Sequence, residues 1–492
     1  MDSLTLLLLL PIVGAAVLAF LPSERPQWIR YAALAIAALT FGDTVSLAWH
    51  FADSAPGMQW LVQYAWNGEL GTSFTLGVDG ISFPLVMLTT LLVLVALLAS
   101  ASVTHHVKGY YLLVLLLEAA TLGVFMAQDW SLFYVFWELV LIPLFFLIDR
   151  WGGKNRQTAA LNFVLYTMGG SIFMLLALLM LFDATAGHDF SFAAMAYGGK
   201  DLPVNQQMLI FLGLLIGFGV KMPLFPLHGW LPLAHVEAPS PVSILLSGIL
   251  LKMGSYGLIR AVDALPAAAL ALQALLFALG LIGVLYGGLL AWRQSDLKKM
   301  IAYSSVSHMG VVVIGIATLH QWGITGAVYQ MVAHGLVAGA TFMLIGLLYE
   351  RTHTRDINDY GSLIKVTPRF AVLIILAFAG GVGLPGTAGF VAELHVLLAG
   401  FTRWHWVIVL LSLGVLITAT YSIRTIKHLY TGQMNPRMQE VSDLGWVEVC
   451  AAGSLIAATL YLGFQPGILL NKLDTSIHSF VQRVQITTGV TP

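Results

Sequence analysis

Cysteine and charge are both scarce in this chain. A single cysteine, Cys450, among 492 residues excludes an intrachain disulfide, a C-x-x-C redox pair and a cysteine-ligated iron–sulfur cluster. Any electron chemistry therefore belongs to another chain. Asp, Glu, Lys and Arg together make up only 10% of the residues, against about 25% in a soluble domain. The net charge is −1 and no basic or acidic block is present, which argues against a nucleic-acid partner. There are 14 histidines but no H-x-x-x-H, H-E-x-x-H or Cys/His cluster, so no metal site is expected. Nucleophilic triads, phosphate loops and dinucleotide fingerprints are missing too, and no cofactor is expected in this chain.

What is abundant is apolar sequence, at 58% of the residues. This is the composition of an all-α polytopic membrane protein in contact with a lipid bilayer. The amino terminus carries no basic n-region and no small-residue cleavage site, and reads as a retained first helix. Apolar windows of about 20 residues fall near 3–21, 30–50, 77–102, 109–127, 130–149, 158–183, 207–235, 239–260, 268–292, 299–319, 321–349, 368–401, 404–430 and 445–464. That predicts about 14 transmembrane helices in a single membrane domain spanning 1–492. The stretches 51–76 and 184–206 read as short external loops. The tail 465–492 is too short for another domain.

Basic residues orient the map. With the amino terminus outside, the inner loops hold Arg25, Arg30, Lys108, Arg150, Lys154, Arg156, Arg293, Lys298, Lys299, Arg351, Arg355, Lys365, Arg369, Arg424, Lys427 and Arg437. The outer side holds Lys200, Arg260, Arg403, Lys472 and Arg483. Only Lys221 and Lys252 remain within the spans. The asymmetry predicts both termini on the periplasmic side of a bacterial inner (plasma) membrane.

Two windows, 207–235 and 368–401, are too long for one straight crossing and contain internal Pro or Gly. Each reads as a discontinuous helix made of two halves. Lys221 sits in the first, in F-G-V-K-M-P-L-F-P-L-H-G-W-L-P. A lysine at the bilayer centre costs roughly 2.5–3.5 kcal/mol, and prolines free backbone groups that only buried or hydrated surroundings satisfy. The segment therefore lines a polar path. The second break, G-V-G-L-P at 381–385, repeats G-V-K-M-P at 219–223, and Q-D-W-S at 128–131 matches S-D-L-K at 295–298. Five-helix blocks at 109–260 and 268–430, flanked by 1–102 and 445–464, fit an inverted-topology repeat.

Ionisable residues within spans mark pathways more often than scaffolding. Glu138, in F-Y-V-F-W-E-L, has no compensating charge in its own segment, and Lys221 is the expected partner. The alternative is an ion pair that only fixes helix contacts. A carboxylate beside a desolvated lysine forms a switchable proton site. Lys252, in G-I-L-L-K-M-G-S-Y-G, reads as a buried relay or a snorkelling lysine. Glu393 follows the second break, as a structural partner or a proton exit. His308 and His334 on successive helices suit a proton shuttle, or are satisfied core histidines. His228 and His235 flank the first break and are candidates for an access path. Glu118 and Asp43 either face a neighbouring subunit or bond within the bundle.

K-M-P-L-F-P-L-H-G-W-L-P-L-A-H-V-E-A-P-S-P-V-S, L-L-K-M-G-S-Y-G-L-I-R and D-L-K-K-M-I-A-Y-S-S-V-S-H-M-G together resemble the antiporter-like proton-channel subunits of respiratory complex I, an NADH:quinone oxidoreductase. The likeness runs through nearly the whole chain. It is greatest to the chain M type, because Glu393 stands where the L and N types usually carry lysine and the tail lacks a long lateral helix. The resemblance implies fourteen helices with two inverted five-helix repeats, and neighbours of the L and N types in the membrane arm. It also implies Glu138 and Lys221 as the pair of the first half-channel, Lys252 as the connecting lysine and Glu393 as the terminal carboxylate, with His308 and His334 on the central hydrophilic axis. One departure is Leu233, where the family's W-L-P-D-A-H often has Asp.

The resemblance makes the chain a proton-translocating subunit driven by quinone chemistry elsewhere, with no redox catalysis of its own. Homologous channel subunits of a cation/proton antiporter, a membrane-bound hydrogenase or a carbon-dioxide hydration complex share the same axial residues. A stand-alone secondary transporter would need a substrate pocket. A pure scaffold would have no use for so many buried charges.

Overall fold

The fold is set by the bilayer: backbone groups in hydrocarbon must be satisfied within the segment, so apolar windows become helices. The computed structural model describes residues 2–185 and 187–489. Thirteen of its helices are long and apolar enough to cross a membrane. One of them, 388–430, has 43 residues and turns at 405–408, so it counts as two passes and brings the crossings to fourteen.

The order is α1 (Ser3–Phe20), α2 (Pro26–His50), β1 (Gln59–Asn67), β2 (Thr72–Val78), α3 (Phe83–Leu98), α4 (Val107–Met126), α5 (Trp130–Leu139), α6 (Leu141–Trp151) and α7 (Arg156–Asp183). Next come α8 (Phe192–Lys200), α9 (Val204–Lys221), α10 (Trp230–Glu237), α11 (Ser240–Leu245), α12 (Leu251–Ala264), α13 (Pro266–Ala271), α14 (Gln273–Arg293), α15 (Leu297–Ala317) and α16 (Gln321–Thr352). The chain closes with α17 (Pro368–Val382), α18 (Ala388–Trp404), α19 (Val409–Tyr430), α20 (Trp446–Phe464) and α21 (Gly467–Thr488). Both expected breaks are present, at 222–229 between α9 and α10 and at 383–387 between α17 and α18. A π-helical turn, Leu246–Leu250, joins α11 to α12.

Three regions differ from the sequence reading. The segment 51–76 is not a plain loop: β1 and β2 pair antiparallel, with Val62 opposite Leu76. Within 184–206 lies α8, capped by Ser191 accepting from the Ala194 N–H. The tail forms α21, which lies on the same side as the hairpin. Ser476 Oγ accepts from Gly80 N at 2.9 Å, and Arg483 pairs with Asp263 at 2.9 Å. Hydropathy scanning missed α21 because only one of its faces is apolar, through Leu473, Ile477, Phe480 and Val484.

The burial pattern is that of a bundle immersed in lipid. Every residue in the most apolar windows of α11–α12 and α16 is buried, whereas the corresponding windows of α2 and α20 are only 28% buried. Core helices approach closely through glycine: a Cβ on Gly254 would lie 2.6 Å from the Phe218 carbonyl oxygen. That contact seats α12 directly against α9 near Lys221.

The matched aspartates of the two blocks occupy corresponding places at opposite faces. Asp129 caps α5, accepting from Ser131 and Leu132 N–H groups, and bridges to Ser191. Asp296 caps α15, accepting from Lys299 N–H, and bridges to Asp356. The first lies on the hairpin face, the second on the opposite, basic face. This is the relation that inverted topology requires.

Candidate functional site

The π turn supplies the first piece of the site. A π turn leaves a main-chain carbonyl without its usual helical donor, and Lys252 Nζ donates to Ser247 O at 2.5 Å. The same Nζ lies 2.7 Å from His334 Nδ1 on α16. His334 Nε2 is 3.2 Å from Ser305 Oγ on α15, and Ser305 Oγ is 2.9 Å from Ser247 Oγ. Lys252, fully buried, is thus part of a hydrogen-bonded ring joining three helices.

From His334 the polar groups continue toward the second break. The rings of His334 and His308 lie 5.3 Å apart. Gln330 Nε2 is 3.2 Å from His308 Nδ1. His308 Nδ1 is in turn 4.0 Å from Glu393 Oε1 on α18. A cavity of about 30 Å³ lined by Ser304, His308, His334, Glu393 and Tyr421 fills the space between them. That is enough for a water molecule, which needs at least about 10–15 Å³ and two or more polar partners. Gly383, at φ +73° in the second break, brings the backbone close to this carboxylate: a Cβ there would meet Glu393 Oε2 at 2.7 Å.

Glu138 and Lys221 are arranged differently from the expected contact pair. No ion pair joins them among the described residues. Lys221 Nζ instead sits 4.6 Å from the centroid of the Trp137 ring, with no hydrogen-bond partner. Glu138 Oε1 is also buried and unpartnered. Trp137, adjacent to Glu138 on α5, is itself fixed by its Nε1–H donating to Ser171 Oγ at 3.0 Å. The carboxylate still acts on the lysine electrostatically, without direct contact.

The two histidines at the first break separate. His235 is fully buried, stacked on Phe342 at 4.4 Å, with both ring nitrogens unpartnered. His228 is half-buried among Phe225, Tyr286 and Tyr303 and takes no part in the Lys252 ring. Leu233 is 48% exposed on α10. Glu118 is buried with neither carboxylate oxygen hydrogen-bonded, and Asp43 has one such oxygen.

Lys298 is a site residue that sequence reasoning missed. It was counted among surface cations of the basic face, yet it is 3% exposed and donates to Ala238 O at 3.0 Å. It lines an open vestibule of about 990 Å³ on that face with Glu237, Asp296, Glu350 and Arg355. His235 lies three residues before Ala238, and both Lys298 and Lys252 are close enough to act on it electrostatically. Contacts thus link Lys252, His334, His308 and Glu393, while Lys298 and His235 lie between the vestibule and Lys252 without a hydrogen bond joining them. Among the described residues no three His, Cys, Asp or Glu side chains converge as a metal site.

Comparison with known proteins gives a consistent result. Residues 127–418 match the family model described as NADH:quinone oxidoreductase/Mrp antiporter, TM, and residues 35–127 match the amino-terminal model of NADH-ubiquinone oxidoreductase chain 4. A NAD(P)H-quinone oxidoreductase chain 4 of Thermosynechococcus vestitus is 39% identical over 98% of this chain and 92% of the relative. The NADH-quinone oxidoreductase subunit M of Rickettsia conorii is 36% identical over 93% of each. A chain of respiratory complex I from Thermus thermophilus superposes with a TM-score of 0.88 at 31% identity, covering 98% of this chain and 99% of that one.

Proposed function

Because the chain belongs to the NADH:quinone oxidoreductase/Mrp antiporter family, we propose that it is a proton-translocating membrane-arm subunit of an NADH:quinone oxidoreductase. In this role it conducts protons while quinone is reduced in other chains, holds no cofactor and performs no redox step itself. Its neighbours are further antiporter-like subunits of the L and N types. It sits in a bacterial inner membrane with the basic face toward the cytoplasm and both termini in the periplasm, in keeping with the basic-residue asymmetry. Identity favours this reading over the related complexes. The chain of the sulfane sulfur reductase matches at 24% and that of the Mrp complex from Dietzia at 20%, levels at which the shared feature is the fold.

The observation that carries the reading is the Lys252–His334 contact. An ammonium can donate to Nδ1, and a neutral amine can accept from Nδ1–H, so the same 2.7 Å contact serves both before and after a proton has passed. Protons enter at the basic-face vestibule and reach Lys252 through Lys298 and His235. They leave through His334 and His308 toward Glu393. Glu138 and Lys221 set the charge beside this path: when the Glu138 carboxylate shifts away from Lys221, the lysine loses the anion that stabilises its ammonium form. The test is reconstitution of the intact complex carrying Lys221→Ala or Glu393→Ala. Assembly with impaired proton pumping is expected, and full pumping in both variants would sink the reading.

A further inference from the structure

The inverted repeat gives the protein two mouths, one on each face, and they end on different chemistry. The basic-face vestibule ends on Lys298, whose ammonium can release a proton, and beyond it the unpartnered His235. The hairpin-face vestibule, about 400 Å³, is lined by Asp79, Lys200, Arg260, Asp263, Ser476 and Arg483. Three of the five basic residues on that face gather here. Its floor is Arg260, 5% exposed and bonded to Asp79 Oδ2 at 2.8 Å.

Arg260 stands directly above the relay. Lys252, Tyr256 and Arg260 follow one another at intervals of four on one face of α12, about 6 Å per step. The Tyr256 ring lies 4.9 Å below the guanidinium, and its hydroxyl has no hydrogen-bond partner. Tyr256 and Arg260 are thus what lies along α12 between Lys252 and a polar vestibule open to the hairpin face. A guanidinium keeps its proton at any pH that a protein meets and accepts none. Asp79 cannot easily serve as the acceptor in its place: its Oδ1 already takes the N–H groups of Ile81 at 3.1 Å and Ser82 at 2.9 Å, and Oδ2 takes Arg260.

We infer that Arg260, fixed by Asp79, is an electrostatic plug that seals the Lys252 relay from the hairpin face. It is a positioning residue for the direction of flow: protons are admitted at the mouth that ends on lysine and refused at the mouth that ends on arginine. A fixed guanidinium in a narrow polar passage excludes protons in the same way in other membrane pores. The inference rests on the reading of Lys252 as a proton carrier. Its test needs no turnover, so it fails or succeeds separately from pumping.

The experiment is passive proton flux into liposomes holding the intact complex, without NADH, under an imposed potassium diffusion potential. Arg260→Gln is expected to raise the flux on the order of tenfold over the unsubstituted complex, since it removes the cation and frees Asp79 to take up a proton. Arg260→Lys, which keeps a cation that can exchange its proton, is expected to leak to an intermediate extent and decides the matter if the glutamine variant does not assemble. Asp79→Asn retains the guanidinium and is expected to stay tight. Wild-type tightness in the arginine variants, or an equal leak in Asp79→Asn, would overturn the plug.

Discussion

Lys252 on α12 and His334 on α16 meet at 2.7 Å, 82 residues apart in sequence. The bond crosses from one inverted block to the other, so in the proposed path it joins the two halves. Replacing His334 by Phe keeps a buried ring of comparable bulk but removes the acceptor and leaves the Lys252 ammonium with one partner fewer. A buried donor stripped of its partner costs about 1–3 kcal/mol. The expected outcome is an assembled complex with quinone reductase activity and sharply reduced proton uptake, read as fluorescence quench in proteoliposomes.

Gly383→Ala is expected to act on Glu393 without touching that residue. The φ of +73° at Gly383 disfavours any L side chain by about 1–2 kcal/mol. The added methyl would also sit 2.7 Å from Glu393 Oε2. The carboxylate must move from its place 4.0 Å from His308. Pumping should fall further than complex abundance does, a comparison made by native gel and proton uptake on the same membranes.

Trp137, next to Glu138 on α5, supports the Lys221 cation through its ring. Such a contact is worth about 0.5–2 kcal/mol. Trp137→Leu removes both the ring and the hydrogen bond to Ser171. Proton uptake is expected to drop roughly fivefold, the rate equivalent of about 1 kcal/mol, which is less than the loss in Lys221→Ala. Equal loss in the two variants would assign Trp137 a larger part than support.

Leu233 is nearly half exposed and does not line the basic-face vestibule, although its neighbours Val236 and Glu237 do. Leu233→Asp therefore adds a carboxylate outside the path. Pumping per assembled complex is expected to stay within about twofold of the parent, a difference below 0.5 kcal/mol. The proposed access path runs through Lys298, and Lys298→Met should lower uptake where Leu233→Asp does not.

Much of this arrangement was legible in the sequence. Pro223, Pro226 and Gly383 mark the two breaks because proline lacks an N–H and glycine tolerates a positive φ. Intramembrane charge singled out Glu138, Lys221, Lys252 and Glu393. What escaped notice followed other rules. The hairpin at 59–78 consists of strands too short for a 20-residue hydropathy window, and α21 buries only one face, which such a window averages away. Lys298 and Arg260 lie at span ends, where hydropathy places cations in water. Only the fold shows that one bonds Ala238 O and the other Asp79, both out of solvent. The exact partner of Lys221 was not legible either, because an indole next to the expected carboxylate carries no charge signal.

The central claim is that protons pass through Lys252. The measurement that tests it most directly is the number of protons released per NADH oxidised by reconstituted complex carrying Lys252→Met, with the parent complex alongside. A lower stoichiometry at preserved assembly is the expected result. An unchanged stoichiometry would contradict the account.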